Sequence, residues 1–228
     1  MKKILASLAA AIAVSATSVS AADISVTQQD PLFGSANLRK TVSISYQGTS
    51  SNVYAGLFHL TGDLTGNGVS NFVAFCVDLA ETLGNPQTMN VWNDPFDATV
   101  RGNIDKLFTN VLGGQTMQAG ITDQITAAGM QLALWEIVYD SNDLNLASGT
   151  FHRDGGNSEM AWARAGQYLA DLALGTPSTQ TVSYLYSDGN QDLVTSEPTP
   201  SPVPLPASGL LVLAGFGGFA ALKRRKAK

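Results

Sequence analysis

Two residues of this chain carry side chains that can react with each other, a thiol and a carboxamide. Cys76 is the single cysteine of the 228 residues, so no disulfide can form within the chain. Gln131 lies inside the apolar stretch 122–140, TDQITAAGMQLALWEIVYD. A thiolate that attacks a side-chain carboxamide and expels ammonia leaves an internal thioester, an activated acyl group that awaits an external amine or hydroxyl.

Each of the two residues also has an ordinary structural interpretation. A free cysteine is often a small buried hydrophobic residue, and a helix glutamine can bond a neighbouring carbonyl. A buried amide must find hydrogen-bond partners or be changed chemically. The pair therefore predicts either a thioester or a satisfied core amide beside an inert thiol.

The elements that carry the two residues are both predicted to be buried. The stretch 122–140 reads as a helix that is apolar around most of its circumference, with a narrow small or polar strip that includes Glu136. The segment 71–79 is apolar on both alternating faces, which is typical of a central strand buried on two sides. Cys76 lies on that strand and Gln131 on that helix.

The remaining elements predict an α+β fold, with an antiparallel β-sheet or sandwich packed by about three helices. Turn residues bound strands at 23–27, 41–46, 53–60 and 88–92, and a hairpin signal at 187–190 joins strands at 181–186 and 191–195. Helical spacing predicts helices at 98–109 and from an N-cap at Asn157 or Ser158 to a stop at Gly175, the latter with Met160 facing inward.

Other polar residues give weaker indications of chemistry. His59 and His152 belong to no nucleophile motif, and we expect both at the surface or at its boundary. Asp63 and Asn67 in a Gly-rich loop do not complete a calcium-binding loop, so a plain turn is expected. Glu136 is a candidate general acid or base, although its place on the polar strip predicts exposure. No metal site and no cofactor are expected.

The chain ends read as targeting segments around a domain at 23–196. Residues 1–22 combine a basic start, an apolar run and small residues for cleavage after Ala21 or Ala22, as in a signal peptide. Residues 197–206 form a Pro-rich spacer, 207–222 an apolar helix able to cross a membrane, and 223–228 a basic cytoplasmic tail. We therefore expect an exported protein, anchored in the membrane through its C-terminal helix.

The domain is strongly acidic. Of the 13 Lys and Arg residues, two lie in the signal segment and five in the tail, which leaves six. All 18 Asp and Glu lie between Asp23 and Glu197, so this stretch has a net charge of 6 − 18 = −12. A basic stripe that could meet phosphates is absent from the sequence, so nucleic-acid binding is disfavoured.

Two motifs resemble those of the bacterial thioester domain, an adhesin module. FCVD at 75–78 is similar to the family's aromatic-Cys-Ile-Asp segment, and MQLALW at 130–135 is similar to its Thr-Gln-x-Ala-Ile-Trp segment, with Met130 in place of threonine. The resemblance implies a surface adhesin that bonds covalently to surface amines, and that is not an enzyme. It assigns Cys76 and Gln131 as the cross-linked pair, with Asp78 and Trp135 in support.

The C-terminus resembles the VPLPA variant of PEP-CTERM sorting signals, which occur in exported proteins of Gram-negative bacteria that produce exopolysaccharide. The resemblance implies processing by an exosortase-type enzyme at the inner membrane, and a final place at the cell surface or in the extracellular matrix, with matrix polysaccharide as a partner. The sorting motif is Val203, Pro204, Leu205, Pro206 and Ala207, and the basic stop is Lys223, Arg224, Arg225 and Lys226.

Alternatives to this interpretation stay open. LPASG at 205–209 resembles the Leu-Pro-x-Thr-Gly sortase signal of Gram-positive walls, which would make the chain a wall-anchored protein, and an uncleaved membrane anchor is the plain alternative for the tail. The domain itself can instead be a non-reactive structural or carbohydrate-binding matrix protein. An extracytoplasmic hydrolase is the least favoured class, because no acid–histidine cleft is evident in the chain order.

Overall fold

A computed structural model describes residues 23–92 and 95–200 of the chain. Nine strands and four helices occur in these ranges. In chain order they are β1 (Ile24–Gln28), β2 (Arg39–Tyr46), β3 (Thr49–Gly56), β4 (Phe58–Gly62), β5 (Ser70–Cys76), β6 (Gln87–Val91), α1 (Ala98–Leu112), α2 (Met117–Gly120), α3 (Gln124–Tyr139), β7 (Phe151–Arg153), α4 (Glu159–Asp171), β8 (Gln180–Tyr186) and β9 (Leu193–Pro198).

The strands form two antiparallel sheets. Six of them close into a barrel in the order β1-β4-β5-β9-β8-β6, and the other three form a separate sheet in the order β3-β2-β7. The prediction of a mixed fold with antiparallel sheets and packed helices is confirmed. The prediction of one sheet or a sandwich is wrong, because six of the strands close into a barrel. The short helix α2 makes four helices, where about three were predicted.

The predicted strand 53–60 is divided between the two sheets. Gly56 ends β3 in the three-stranded sheet, and β4 begins in the barrel at Phe58. A side chain at Gly56 would collide with the Leu38 carbonyl oxygen, and the N–H of Leu57 donates to that same oxygen at 3.0 Å. The close backbone contact requires a glycine and passes the chain from one sheet to the other.

Helix α3 lies at the centre of the molecule, as its composition predicts. Every residue from Ala127 to Ile137 is buried, and the helix packs on β2, β3, α1 and α4. A side chain at Gly129 would come within 2.7 Å of the Arg164 side chain on α4. The narrow strip therefore contacts α4 at Gly129. The predicted exposure of Glu136 is wrong, since this residue is 0% exposed.

Helix α4 begins after Ser158, one of the two predicted N-cap residues. The Ser158 hydroxyl does not cap the helix but donates to the Thr41 carbonyl oxygen at 2.8 Å, which ties α4 to β2. Met160 is 69% exposed, contrary to its predicted inward position. The buried stripe consists of Ala161, Trp162, Ala165 and Leu169.

The C-terminal strand reaches into the predicted Pro-rich spacer. Glu197 and Pro198 belong to β9 and pair with Thr181 and Gln180 of β8, so the spacer's first residues form part of the barrel. The predicted signal segment, sorting motif, membrane helix and basic tail lie outside the described residues. Within 23–92 and 95–200, no helix is long and apolar enough to cross a membrane.

Candidate functional site

Cys76 ends strand β5 at a point where one neighbouring strand stops. On one side β5 pairs with β9, with Cys76 opposite Leu193. On the other side the register with β4 ends at Phe58 opposite Ala74. The N–H of Val77 donates to the Asp192 carbonyl on the β9 side. The N–H and C=O groups of successive residues point to opposite sides of a strand. Those of Cys76 therefore face the side on which β4 no longer pairs with β5.

The side chain of Gln131 fills this position. The Cys76 N–H donates to Gln131 Oε1 at 3.1 Å, and Gln131 Nε2 donates to the Cys76 carbonyl oxygen at 2.7 Å. Both residues are 1% exposed. The structure therefore brings the two predicted residues into direct contact, and the carboxamide continues the sheet ladder from a helix.

The Cys76 thiol belongs to the residue whose backbone makes these two hydrogen bonds. The thiol donates to the Asp78 carbonyl oxygen at 2.6 Å. Burial raises the pKa of the Cys76 thiol above its usual range, while hydrogen bonding from Trp135 and to the Asp78 backbone partly offsets this rise. The Trp135 indole N–H has no partner of full hydrogen-bond geometry among the described residues, so its interaction with the sulfur is weak.

Asp78 shapes the turn that covers the sulfur. Its carboxylate accepts a hydrogen bond from the Ala80 N–H at 2.7 Å, and its carbonyl oxygen also accepts from Gln191 Nε2 at 3.1 Å. The predicted supporting residue thus touches the thiol through its backbone, while its carboxylate holds the turn.

Two residues of the site were missed by sequence reasoning. The Tyr139 hydroxyl accepts from the Leu79 N–H at 2.8 Å and donates to the Val77 carbonyl at 3.4 Å. Gln191 Nε2 reaches the Glu81 carbonyl oxygen at 3.3 Å. The apolar stripe of α3 includes Tyr139, but the pattern does not reveal the target of its hydroxyl. Gln191 gives no signal in the sequence.

Carboxylate groups lie close together around the residues that follow Cys76. Burial raises the pKa of Asp192 to about 6, the charges of Asp78 and Glu81 act in the same direction, and the Ser187 N–H opposes them. That N–H donates to Asp192 Oδ1 at 2.9 Å. The surface above Cys76 therefore favours positively charged groups over anions.

Glu136 is buried on another side of α3. Neither carboxylate oxygen has a hydrogen-bond partner within the described residues. Burial raises its pKa to about 8, and Asp140 and Asp143 act in the same direction, with the Asn145 backbone opposing them. Five residues separate it from Gln131, which places the two side chains on different faces of the helix.

The other polar candidates do not gather into a second site. His59 lies in the barrel on β4, and burial lowers its pKa. His152 lies in the other sheet on β7, with Nδ1 at 3.0 Å from the Gly149 carbonyl oxygen. Asp63 Oδ2 accepts from the Gly68 N–H at 3.0 Å, as in a plain turn. Across 23–92 and 95–200, no group of three or more His, Cys, Asp or Glu is arranged to hold a metal ion.

The comparisons with known proteins concern structure alone. No protein-family model matches the chain, and no curated protein matches it in sequence. The N-terminal domain of the Streptococcus pyogenes pilus tip adhesin Cpa aligns with a TM-score of 0.44 and 13% identity, over 81% of this chain and 97% of that one.

Two further solved structures align over similar lengths. The N-terminal thioester domain of a surface protein from Clostridium perfringens has a TM-score of 0.40 and 11% identity, over 76% of this chain and 98% of that one. A cysteine-to-alanine mutant of it gives 0.42 and 11%, over 77% and 99%. The likeness is too distant to transfer a function, so the functional argument rests on the contact between Cys76 and Gln131.

Proposed function

We propose that the domain is a cell-surface adhesion module in which Cys76 and Gln131 form an internal thioester. The observation that carries the proposal is the pair of hydrogen bonds between the Gln131 carboxamide and the backbone of Cys76. This contact holds the amide carbon beside the residue that bears the chain's single thiol. The motifs around both residues give independent support.

The proposed reaction is balanced without an oxidant or a cofactor. The Cys76 sulfur bonds to the side-chain carbonyl carbon of Gln131, the carbon–nitrogen bond breaks, and the thiol proton leaves with the nitrogen as ammonia. In a second step an external amine attacks the same carbon, which forms an amide and returns the thiol. The domain is consumed in a single capture, so it acts as an adhesin and not as an enzyme.

The backbone of Cys76 assists the first step. Its N–H already donates to Gln131 Oε1, so it polarises the carbonyl and stabilises the negative charge that develops on that oxygen during attack. The second hydrogen bond, from Gln131 Nε2, is lost with the ammonia. The thiol must turn from the Asp78 carbonyl toward the amide carbon for the bond to form.

Burial protects the product. Tyr139 and Gln191 fasten the segment 77–81 above the sulfur through hydrogen bonds to its backbone. A site from which water is excluded slows hydrolysis of an activated acyl group. The same burial means that the segment 77–81 must open before an external amine can reach the bond.

Intact-mass spectrometry of the freshly purified mature protein tests the bond. We expect a deficit of one ammonia relative to the sequence, which disappears in Cys76→Ala and in Gln131→Ala. Treatment with methylamine should then add one methylamine to the thioester form. Full sequence mass in an untreated sample that was never exposed to amines contradicts the proposal.

A second candidate is a non-reactive structural domain with the same fold. The observation that favours it is that both polar atoms of the Gln131 carboxamide already have partners, so the buried amide is stable as it stands. In this case the wild type and Cys76→Ala both have the full mass of their sequences, and the substitution leaves the association with the extracellular matrix unchanged.

We further propose that the chain is exported and sorted to the cell surface through its C-terminal segment. The support is the sequence of 197–228, with its VPLPA motif, apolar run and basic end. Comparing the mass of the surface protein in cells with and without an exosortase tests the proposal. Retention of the C-terminal segment in both strains favours a permanent anchor instead.

A further inference from the structure

Four aromatic rings form a continuous row at one end of the barrel. The ring centroids of Trp92 and Tyr186 lie 5.3 Å apart, those of Trp92 and Phe96 6.0 Å, and those of Phe96 and Tyr184 5.7 Å. The proposed thioester chemistry uses none of them. We call Trp92, Phe96, Tyr184 and Tyr186 the aromatic platform.

The platform lies on the outer face of the barrel. Leu185, between the two tyrosines, is 1% exposed, so Tyr184 and Tyr186 point to the outer side of the barrel because side chains alternate along a strand. On that side Tyr184 and Phe96 also pack in part against the hydrophobic cluster. Trp92 lies beside them, since its N–H donates to the Tyr184 carbonyl oxygen at 2.9 Å. Tyr186 is 39% exposed, and the other three rings are partly exposed.

The barrel's closure restricts what can bind there. The strands β6, β8 and β9 are each paired on both sides within the closed barrel, so an extended peptide cannot add to them as a further strand. A ligand must instead pack against the rings themselves. The flat apolar face of a pyranose ring packs on aromatic side chains while its hydroxyl groups stay in water, which matches rings with one apolar and one wet side.

The charge beside the platform selects the kind of sugar. Asp188 lies next to the Tyr186 phenol, and its negative charge, with those of Asp192 and Glu81, raises the pKa of that phenol. Burial raises the pKa of Tyr184 to about 12, and the charges of Asp105 and Arg101 act on it in opposite directions. A domain with a net charge of −12 and carboxylates at this edge repels acidic polysaccharides and attracts cationic ones.

We propose that the aromatic platform binds a polysaccharide that carries free amino groups, with its sugar rings on the aromatic side chains and its ammonium groups facing the carboxylates. Contact between ammonium groups and aromatic faces adds to the attraction. This inference is independent of the thioester, because the platform needs neither Cys76 nor Gln131.

The platform and Cys76 lie at the same end of the barrel. In the sheet register, Cys76 is opposite Leu193, Leu193 is opposite Leu185, and Leu185 is opposite Val91. Along the curved wall of the barrel, three strand spacings, roughly 14 Å, separate Cys76 from Val91, the residue before Trp92. Glu81, at the end of the segment 77–81, is near enough for its charge to act on the Tyr186 phenol. A polysaccharide held on the platform therefore brings amines toward the segment that covers the proposed thioester.

Calorimetric titration of the full chain in mild detergent tests the proposal, with a chitosan oligosaccharide as the probe. We expect binding that weakens as salt is raised, and an affinity about tenfold lower in Trp92→Ala. Asp188→Asn should also lower the affinity while leaving every ring in place. All variants are titrated in a Cys76→Ala background, which should keep the reversible binding and in which the probe's amines cannot be captured covalently, so this site is measured apart from the thioester.

Tyr54→Ala is the matched control, because Tyr54 is an aromatic residue 54% exposed on β3 of the other sheet. It should bind the oligosaccharide as the wild type does. Thermal unfolding of each variant shows that the fold is kept. Equal binding by Trp92→Ala and wild type overturns the proposal, as does tighter binding of a lysine-rich peptide of equal charge. Equal affinity for the fully N-acetylated oligosaccharide overturns the amine requirement.

Discussion

Gln131 and Cys76 are joined like neighbouring residues of a sheet, although one belongs to a helix. The carboxamide of Gln131 accepts from the Cys76 N–H at 3.1 Å and donates to its carbonyl oxygen at 2.7 Å. It therefore takes the place of a strand where the β4 register ends at Phe58. The contact also satisfies two buried backbone groups, so Gln131 has a structural role as well as its proposed chemical one.

Gln131→Met should destabilise the domain even where no thioester can form. In a Cys76→Ala background, the substitution keeps the volume but leaves the N–H and the carbonyl of residue 76 without partners, at a cost of about 2–4 kcal/mol. Urea unfolding measures the difference. The same change at Gln118, which is exposed on α2, is the control, and an equal effect at both sites contradicts the role of the two hydrogen bonds.

Tyr139→Phe should loosen the cover over Cys76. Loss of the hydroxyl leaves the Leu79 N–H without its acceptor, which costs about 1 kcal/mol. Titration with an aromatic disulfide reagent should then label the Cys76 thiol several times faster than in the wild type. Where the thioester has formed, it should instead hydrolyse faster. Tyr168→Phe on α4 is the control. An unchanged labelling rate in Tyr139→Phe shows that the segment 77–81 is held by other contacts.

Glu136→Gln should change how stability depends on pH. The folded-state pKa of Glu136 is about 8 and its ordinary value is 4.5, so the folded state holds the proton more tightly than the unfolded state. The wild type therefore loses stability as the pH rises from 4.5 to about 8, on the order of 3 kcal/mol. Because glutamine does not ionise, the variant escapes this loss.

Urea unfolding of Glu136→Gln and wild type at about pH 5 and about pH 9 checks this prediction. The stability of the variant relative to the wild type should increase between the two values. Asp143→Asn removes a neighbouring charge that raises the Glu136 pKa, so the same loss should be smaller and should end at a lower pH. Parallel pH profiles for wild type and Glu136→Gln rule out a buried, titrating carboxyl.

Asp123→Ala should weaken the start of α3. The Asp123 carboxylate accepts from the N–H groups of Ile125 and Thr126 at 2.8 and 2.9 Å, and from the Thr126 hydroxyl at 2.6 Å. Losing this cap costs about 1 kcal/mol, whereas asparagine is a comparably good cap. Thermal unfolding should thus show a lower midpoint for Asp123→Ala and a smaller change for Asp123→Asn. Equal midpoints for all three proteins exclude the capping role.

Local pattern alone predicted the elements that hold the site. The apolar circumference of α3 predicts a buried helix, and Ala127 to Ile137 are buried. The two-sided apolar run around Cys76 predicts a central strand, and β5 lies between β4 and β9 in the barrel. Both patterns are strong because burial on all sides leaves few polar positions in a short stretch of chain.

Long-range contacts decided what the patterns did not show. The strip of α3 that carries Glu136 has the composition of a solvent-facing strip, yet it packs on α4, since a small residue at Gly129 lets the two helices approach. The barrel's closure joins β1 to β6 and β5 to β9, which are pairings between distant segments. Hydrophobic alternation marks which face of a strand is buried but does not name its neighbour.

The chemistry available to this protein was determined by its sequence, which supplies one thiol and one carboxamide in apolar surroundings 55 residues apart. Whether the two groups meet was decided by the tertiary structure alone. The pairing of β4 with β5 stops at Ala74, two residues before Cys76. The buried helix passes this gap, and Gln131 closes it. The physical reason is that buried backbone groups must find partners, and the partner here comes from another element of the fold.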